Sequence, residues 1–91
     1  MKVRELLTDE SKWTQGFDAR SKSGRRVDWE SRAAVRWCLL GAVYYCYGTD
    51  KDYARVFDLI KGEVGPYIAT WNDTSGRTFA DVRALIEKLD I

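Results

Sequence analysis

The sequence contains no histidine, and it has only two cysteines and one proline in 91 residues. Histidine is the side chain that most often transfers protons near neutral pH, and it is also a frequent zinc ligand. A glycine-rich phosphate-binding loop is missing as well. We therefore predict that the protein is not an enzyme, and that it holds no metal and no cofactor.

The two cysteines, Cys38 and Cys46, fall within a stretch whose pattern predicts one helix. At a rise of about 1.5 Å per residue their α-carbons would be about 12 Å apart, which is too far for a disulfide. Free thiols are typical of a reducing compartment. The charged start, Met1–Glu5, is also unlike a signal peptide. These features predict a cytoplasmic protein with thiols that serve core packing.

Charge of either sign is not in excess, because 15 basic residues face 14 acidic ones and the net charge is +1. A protein that neutralises many phosphates usually has a basic excess or a basic face. The overall balance argues against nucleic acid as the main partner but allows a local patch. The longest apolar run, residues 37–47, is shorter than the roughly 20 residues that span a bilayer. No membrane partner is predicted.

Helical patterns dominate the sequence. The pattern predicts a central helix that begins at Asp28 or Ser31, ends at Tyr47, and is apolar on every side from Trp37 onward. Such a helix must be surrounded by others. Gly41 in its middle costs about 1 kcal/mol of helix propensity, which predicts the close approach of another backbone.

Four further segments are predicted around the central helix. Residues 3–13 and 49–62 have helical patterns, and a short segment follows Pro66. Residues 8–11 could break the first of these into two short pieces, with Thr8 as the cap of the second. Thr78 and Asp81 form a capping pattern for a last helix with a clear apolar stripe. Residues 15–27 allow a short β-hairpin. We predict one domain, residues 1–91, that is mainly α. It is a small bundle of four to five helices around a central apolar helix, and the pattern allows a short β-hairpin in addition.

Two motifs carry a family resemblance. They are Trp-Cys-x-x-Gly-Ala at residues 37–42 and Trp-Asn-Asp-x-x-x-Arg-Thr at residues 71–78. With Trp13-Thr14-Gln15-Gly16 they resemble an uncharacterised family of small bacterial and phage proteins, a domain of unknown function, over about Val3 to Leu89. The resemblance implies a bacterial or phage source and supplies no activity.

The second motif places an indole, an amide, a carboxylate and a guanidinium close together, in Trp71, Asn72, Asp73 and Arg77. One hypothesis is a small-molecule site on a loop between two helices. The sequence favours the other, a helix-to-helix corner. There Asn72 or Asp73 closes the turn, Asp73 pairs with Arg77, and Thr78 caps the last helix.

A basic cluster surrounds Gly24 in the predicted hairpin. Its members are Arg20, Lys22, Arg25 and Arg26, and the aromatic residues Trp13, Phe17 and Trp29 lie nearby in sequence. The basic side chains of such a hairpin tip could bind phosphate, and the aromatic rings could stack on a base. The alternative is a solvated turn whose charge is offset by acidic neighbours.

Aromatic residues are plentiful, with four tryptophans and five tyrosines. Tyr44, Tyr45 and Tyr47 cannot all point inward from one helix, so we expect some rings at a contact surface.

The leading hypothesis is a small non-catalytic binding or regulatory module that acts through protein contact, with a host protein or with itself, as a phage or prophage accessory factor would. The alternatives are nucleic-acid binding through Arg20–Arg26 and, last, a small-molecule site around Asn72, Asp73 and Arg77. The candidate binding residues are Trp71, Asn72, Asp73, Arg77, Arg20, Arg25, Arg26, Tyr44 and Tyr47.

Overall fold

The computed structural model describes residues 1–91 and contains five α-helices with a three-stranded antiparallel sheet. The elements in chain order are α1 (Val3–Leu6), β1 (Ala19–Ser21), β2 (Arg26–Val27), β3 (Ala34–Trp37), α2 (Leu39–Tyr47), α3 (Tyr53–Val64), α4 (Ile68–Asp73) and α5 (Phe79–Leu89). A short 3₁₀ helix, Glu10–Lys12, lies between α1 and β1. The fold is therefore a small α+β fold, and the prediction of a mainly α bundle is wrong.

The prediction fails in the first half of the expected central helix. Residues Ala34–Trp37 form β3, and the helix begins only at Leu39. The register of β3 against β1 shifts between Arg20 and Ser21, as in a β-bulge. Side chains along a strand alternate between its two faces, and an extra residue shifts this alternation by one position. Ala34 and Trp37 are therefore both buried although they are three positions apart. That spacing is also typical of a helix, and it caused the error.

The predicted hairpin is present and forms two thirds of the sheet, whose strand order is β2-β1-β3. Gly24 closes its turn with a φ of +88°, a left-handed conformation that glycine adopts without strain. The N–H of Gly24 donates to the carbonyl of Ser21 at 2.9 Å. Ala19 lies opposite both Val27 and Trp37, which places the three on the face that covers the core.

The helix α2 is the centre of the core, and α1, α3 and α4 all contact it. Its residues Leu39, Ala42 and Val43 are fully buried. The fully buried aliphatic residues that pack in the same core come from the other helices and the C-terminus: Val3, Leu7, Val56, Ile60, Val82, Ile86 and Ile91. The close approach predicted at Gly41 is confirmed, because a β-carbon there would overlap the carbonyl oxygen of Asp18.

The boundaries of the remaining helices follow local signals. The last helix starts as predicted, where Thr78 and Asp81 form a reciprocal capping box. The helix α3 continues through Gly62 to Val64, two residues beyond the predicted end. The first helical segment is broken in two, as the sequence allowed: α1 ends at Leu6, and the 3₁₀ helix Glu10–Lys12 follows with Asp9, not Thr8, as its N-cap. None of the helices combines the length and the apolar composition that crossing a membrane requires.

Candidate functional site

The side chain of Asn72 is fully buried at the end of α4 and makes four hydrogen bonds. Its Oδ1 accepts from Trp13 Nε1 at 2.8 Å and from the backbone N–H of Leu39 at 3.0 Å. Its Nδ2 donates to the carbonyl of Thr14 at 3.1 Å and to Asp73 Oδ1 at 2.9 Å. An amide side chain has two donor hydrogens and two acceptor lone pairs, so every one of them is used.

The network extends from Asn72 to the segment that precedes β1. Gln15 Nε2 donates to the carbonyl of Asn72 at 2.9 Å, and the N–H of Gly16 donates to Asp73 Oδ1 at 2.9 Å. Arg20 donates to the carbonyls of Gln15 and Gly24, each at 3.1 Å. These residues therefore tie α4 to the hairpin and to the start of α2, and their polar groups face one another.

Arg77 makes no hydrogen bond to the side chains of this network. Its guanidinium carbon lies 4.1 Å from the ring centroid of Trp71, and its Nε donates to the Trp71 carbonyl at 2.9 Å. The predicted Asp73–Arg77 pair is wrong, because the nearest carboxylate of Arg77 belongs to Asp81, at 4.0 Å. Trp71, Asn72 and Asp73 are the last turn of α4 rather than a loop. The motif is built as a corner, with Asn72 as its centre.

The basic residues of the hairpin have different surroundings. Arg25 and Arg26 are exposed, whereas Arg20 is half-buried by its bonds to the hairpin backbone. Of the three aromatic residues expected nearby, only Phe17 lies beside them, with the Arg26 guanidinium 5.5 Å from its ring centroid. The other two pack elsewhere, Trp13 against Phe79 and Trp29 against Tyr44.

The three tyrosines of α2 point in different directions. Tyr47 is buried, and its hydroxyl donates to the carbonyl of Ile91 at 3.0 Å. Tyr45 is 44% exposed and packs on the ring of Trp37. Tyr44 is half-buried among the rings of three neighbours, Trp29, Tyr53 and Phe57. Tyr47 is therefore part of the core, and only Tyr44 borders a concave surface.

That surface is a cleft between α2, α3 and the start of α4, with a volume of about 260 Å³. Six of its eight lining residues are hydrophobic, and all eight are Leu40, Tyr44, Phe57, Pro66, Tyr67, Ile68, Ala69 and Thr70. Tyr67 at this cleft is 73% exposed. Tyr67 was not among the predicted site residues, and its one signal in the sequence is that it follows the only proline, Pro66.

Both thiols lie in apolar surroundings. Burial raises the pKa of Cys38 to about 11, and burial also raises the pKa of Cys46 to about 11. Cys38 Sγ accepts a 3.3 Å hydrogen bond from the N–H of Gly41 and so caps α2. A nucleophilic or metal-binding cysteine needs a lowered pKa. No three Cys, Asp or Glu side chains come together in a group that could hold a metal ion.

A model of a family of unknown function (DUF6197) matches residues 1–89, which is nearly the whole chain. The chain belongs to this family. No curated protein and no solved structure matches it.

Proposed function

We propose that the protein is a non-catalytic binding module that acts through protein contact, and that the cleft between α2, α3 and α4 is its contact site. The observation that carries the proposal is the 73% exposure of Tyr67 at an apolar cleft. Tyrosine combines a large apolar area with few rotatable bonds, and it is enriched at the energetic centres of protein interfaces.

The size and lining of the cleft favour an apolar side chain of a protein as its occupant. Sites for drug-sized molecules usually measure about 300–1,000 Å³ and contain a few convergent polar groups. The cleft is smaller, about 260 Å³, and six of its eight lining residues are hydrophobic. One or two apolar side chains from a partner helix or loop would fill it against Leu40 and Phe57.

The Trp-Asn-Asp motif is less suitable as a contact site. The polar groups of Asn72 are fully used inside the protein, and Asp73 accepts from both Asn72 and Gly16. A small molecule at that motif would have to break these bonds. We therefore place the function at the cleft and not at the Trp-Asn-Asp motif.

We also propose where the contact takes place. Two free thiols, Cys38 and Cys46, fit the reducing cytoplasm of a cell. A bacterial or phage source, which the sequence motifs suggest, would make a host protein the partner of an accessory factor of this kind. A second copy of the chain is the other occupant to test.

Affinity purification from the native host tests the proposal when it is run with matched variants. The protein, Tyr67→Ala and Tyr45→Ala are purified in parallel, and bound proteins are identified by mass spectrometry. Tyr45 is a suitable control because it is also an exposed tyrosine, on α2 and outside the cleft lining. We expect a partner that is retained by the protein and by Tyr45→Ala and lost with Tyr67→Ala. A partner that all three retain would refute the cleft as the contact site.

A further inference from the structure

The basic residues of the chain are unevenly distributed. Residues 20–36 contain six basic residues and only two acidic ones, a net charge of +4, whereas the remaining nine basic and twelve acidic residues give −3. We call this segment the basic segment; its cations are Arg20, Lys22, Arg25, Arg26, Arg32 and Arg36. The near-neutral total of the whole chain hides this separation of charge.

The sheet arranges three of these arginines in a line. Arg20 of β1 lies directly opposite Arg26 of β2 and directly opposite Arg36 of β3. Residues opposite one another share a face, and Ala19 next to them faces the core, so the three arginines belong to the outward face. Neighbouring strands are about 4.8 Å apart, so the line is about 10 Å long. We call it the arginine row.

No acidic side chain neutralises the arginine row. The seven ion pairs of the chain all involve basic residues outside the basic segment. Arg20 is held by neutral groups, the carbonyls of Gln15 and Gly24 and the hydroxyl of Thr14. Like charges directly opposite on a sheet destabilise it. The positive charge of this face is therefore left without an ion-pair partner inside the protein.

We propose that the outward face of the sheet binds the phosphate backbone of nucleic acid. Guanidinium groups match phosphate oxygens in a two-pronged geometry. Arg26 and Arg36, at the two ends of the arginine row, are free to contact neighbouring phosphates, whereas the three nitrogens of Arg20 already donate to Thr14, Gln15 and Gly24. Phe17, 38% exposed beside Arg26, adds an aromatic ring at the edge of this face. A single exposed ring and no recognition helix indicate binding without sequence preference.

Fluorescence anisotropy with a short labelled DNA, as duplex and as single strand, tests this proposal. The test variant is Arg26→Gln/Arg36→Gln, because neither side chain takes part in any of the seven ion pairs and Arg26 contacts only the exposed ring of Phe17. The control is Lys51→Gln/Arg55→Gln, which removes the same charge from exposed positions outside the basic segment. A second variant, Arg26→Lys/Arg36→Lys, keeps the positive charge at both positions. It separates the contribution of charge from that of the guanidinium geometry.

We expect the wild type to bind one or both DNA forms at low salt, with affinity that falls steeply as salt rises. The glutamine variant should bind about tenfold more weakly, and its salt slope should fall by about 1 for each phosphate that it no longer neutralises. The control should bind as well as the wild type, and the lysine variant, which keeps the charge but not the two-pronged geometry, should bind with an affinity between those of the wild type and the glutamine variant. Three results would overturn the proposal: no DNA binding at low salt, equal weakening in the test and control variants, or tighter binding to phosphatidylserine vesicles than to DNA.

Discussion

The side-chain oxygen of Asn72, near the end of α4, accepts a 3.0 Å hydrogen bond from the backbone N–H of Leu39 at the start of α2. The same oxygen also accepts the indole N–H of Trp13. One buried amide therefore holds together a helix end, a helix start and the segment that precedes the sheet. This arrangement is the reason that we assign the Trp-Asn-Asp motif to the fold.

Replacing Asn72 with alanine tests that assignment. Asn72→Ala leaves the buried N–H of Leu39 and the half-buried indole N–H of Trp13 without partners, and an unpaired buried group costs about 1–3 kcal/mol. We expect the free energy of unfolding, measured by urea denaturation, to fall by about 3 kcal/mol. Asp73→Ala, at an exposed position, should cost about 1 kcal/mol. If Asn72→Ala were no more harmful than Asp73→Ala, the structural role of Asn72 would be wrong.

The two helical glycines should respond to alanine with opposite signs. Gly41→Ala places a methyl group on the carbonyl oxygen of Asp18, so we expect stability to fall by about 1–3 kcal/mol. Gly62 in α3 has open space around it, and Gly62→Ala should add about 0.5–1 kcal/mol through helix propensity. Thermal or urea unfolding measures both changes. Stabilisation by Gly41→Ala would contradict the close approach between α2 and the segment before β1.

Stability should decline in alkaline solution. The pKa of both thiols, Cys38 and Cys46, is raised from 9.0 to about 11 in the folded protein. Between these values the unfolded chain loses protons that the folded chain keeps, so the free energy of unfolding falls as pH rises from 9 toward 11. Burial also raises the pKa of Tyr44 and Tyr47, which act in the same direction.

Unfolding measured at several pH values in this window provides the check. The wild type should lose stability more steeply than Cys38→Ala/Cys46→Ala, which lacks both thiols, although the variant starts from a lower stability. Equal slopes in the two proteins would show that the thiols are not buried as described.

Elements with local signals could be predicted from the sequence. Thr78 and Asp81 are three residues apart and bond to each other, so the start of α5 is visible in the sequence itself. The turn at Gly24 is equally local. The strand β3 was not visible, because a bulge gives Ala34 and Trp37 a helical spacing and because Cys38 is an unusual N-cap.

The site was harder to predict because its residues are distant in sequence. Asn72 bonds to Trp13 and Thr14, which lie 59 and 58 positions away, and no local pattern predicts such partners. The cleft is formed only by the packing of α2, α3 and α4, so the sequence alone does not indicate that Tyr67 lies at its edge. Arg36 joins the arginine row only once β3 is known to be a strand.

Site-specific photo-crosslinking in the native host tests most directly whether a protein partner occupies the cleft. A photoreactive phenylalanine analogue replaces Tyr67 in one protein and Tyr45 in another, and the crosslinked products are compared after illumination. We predict a discrete protein adduct from position 67 and none from position 45. No adduct from position 67, or the same adducts from both positions, would contradict a partner seated on the cleft.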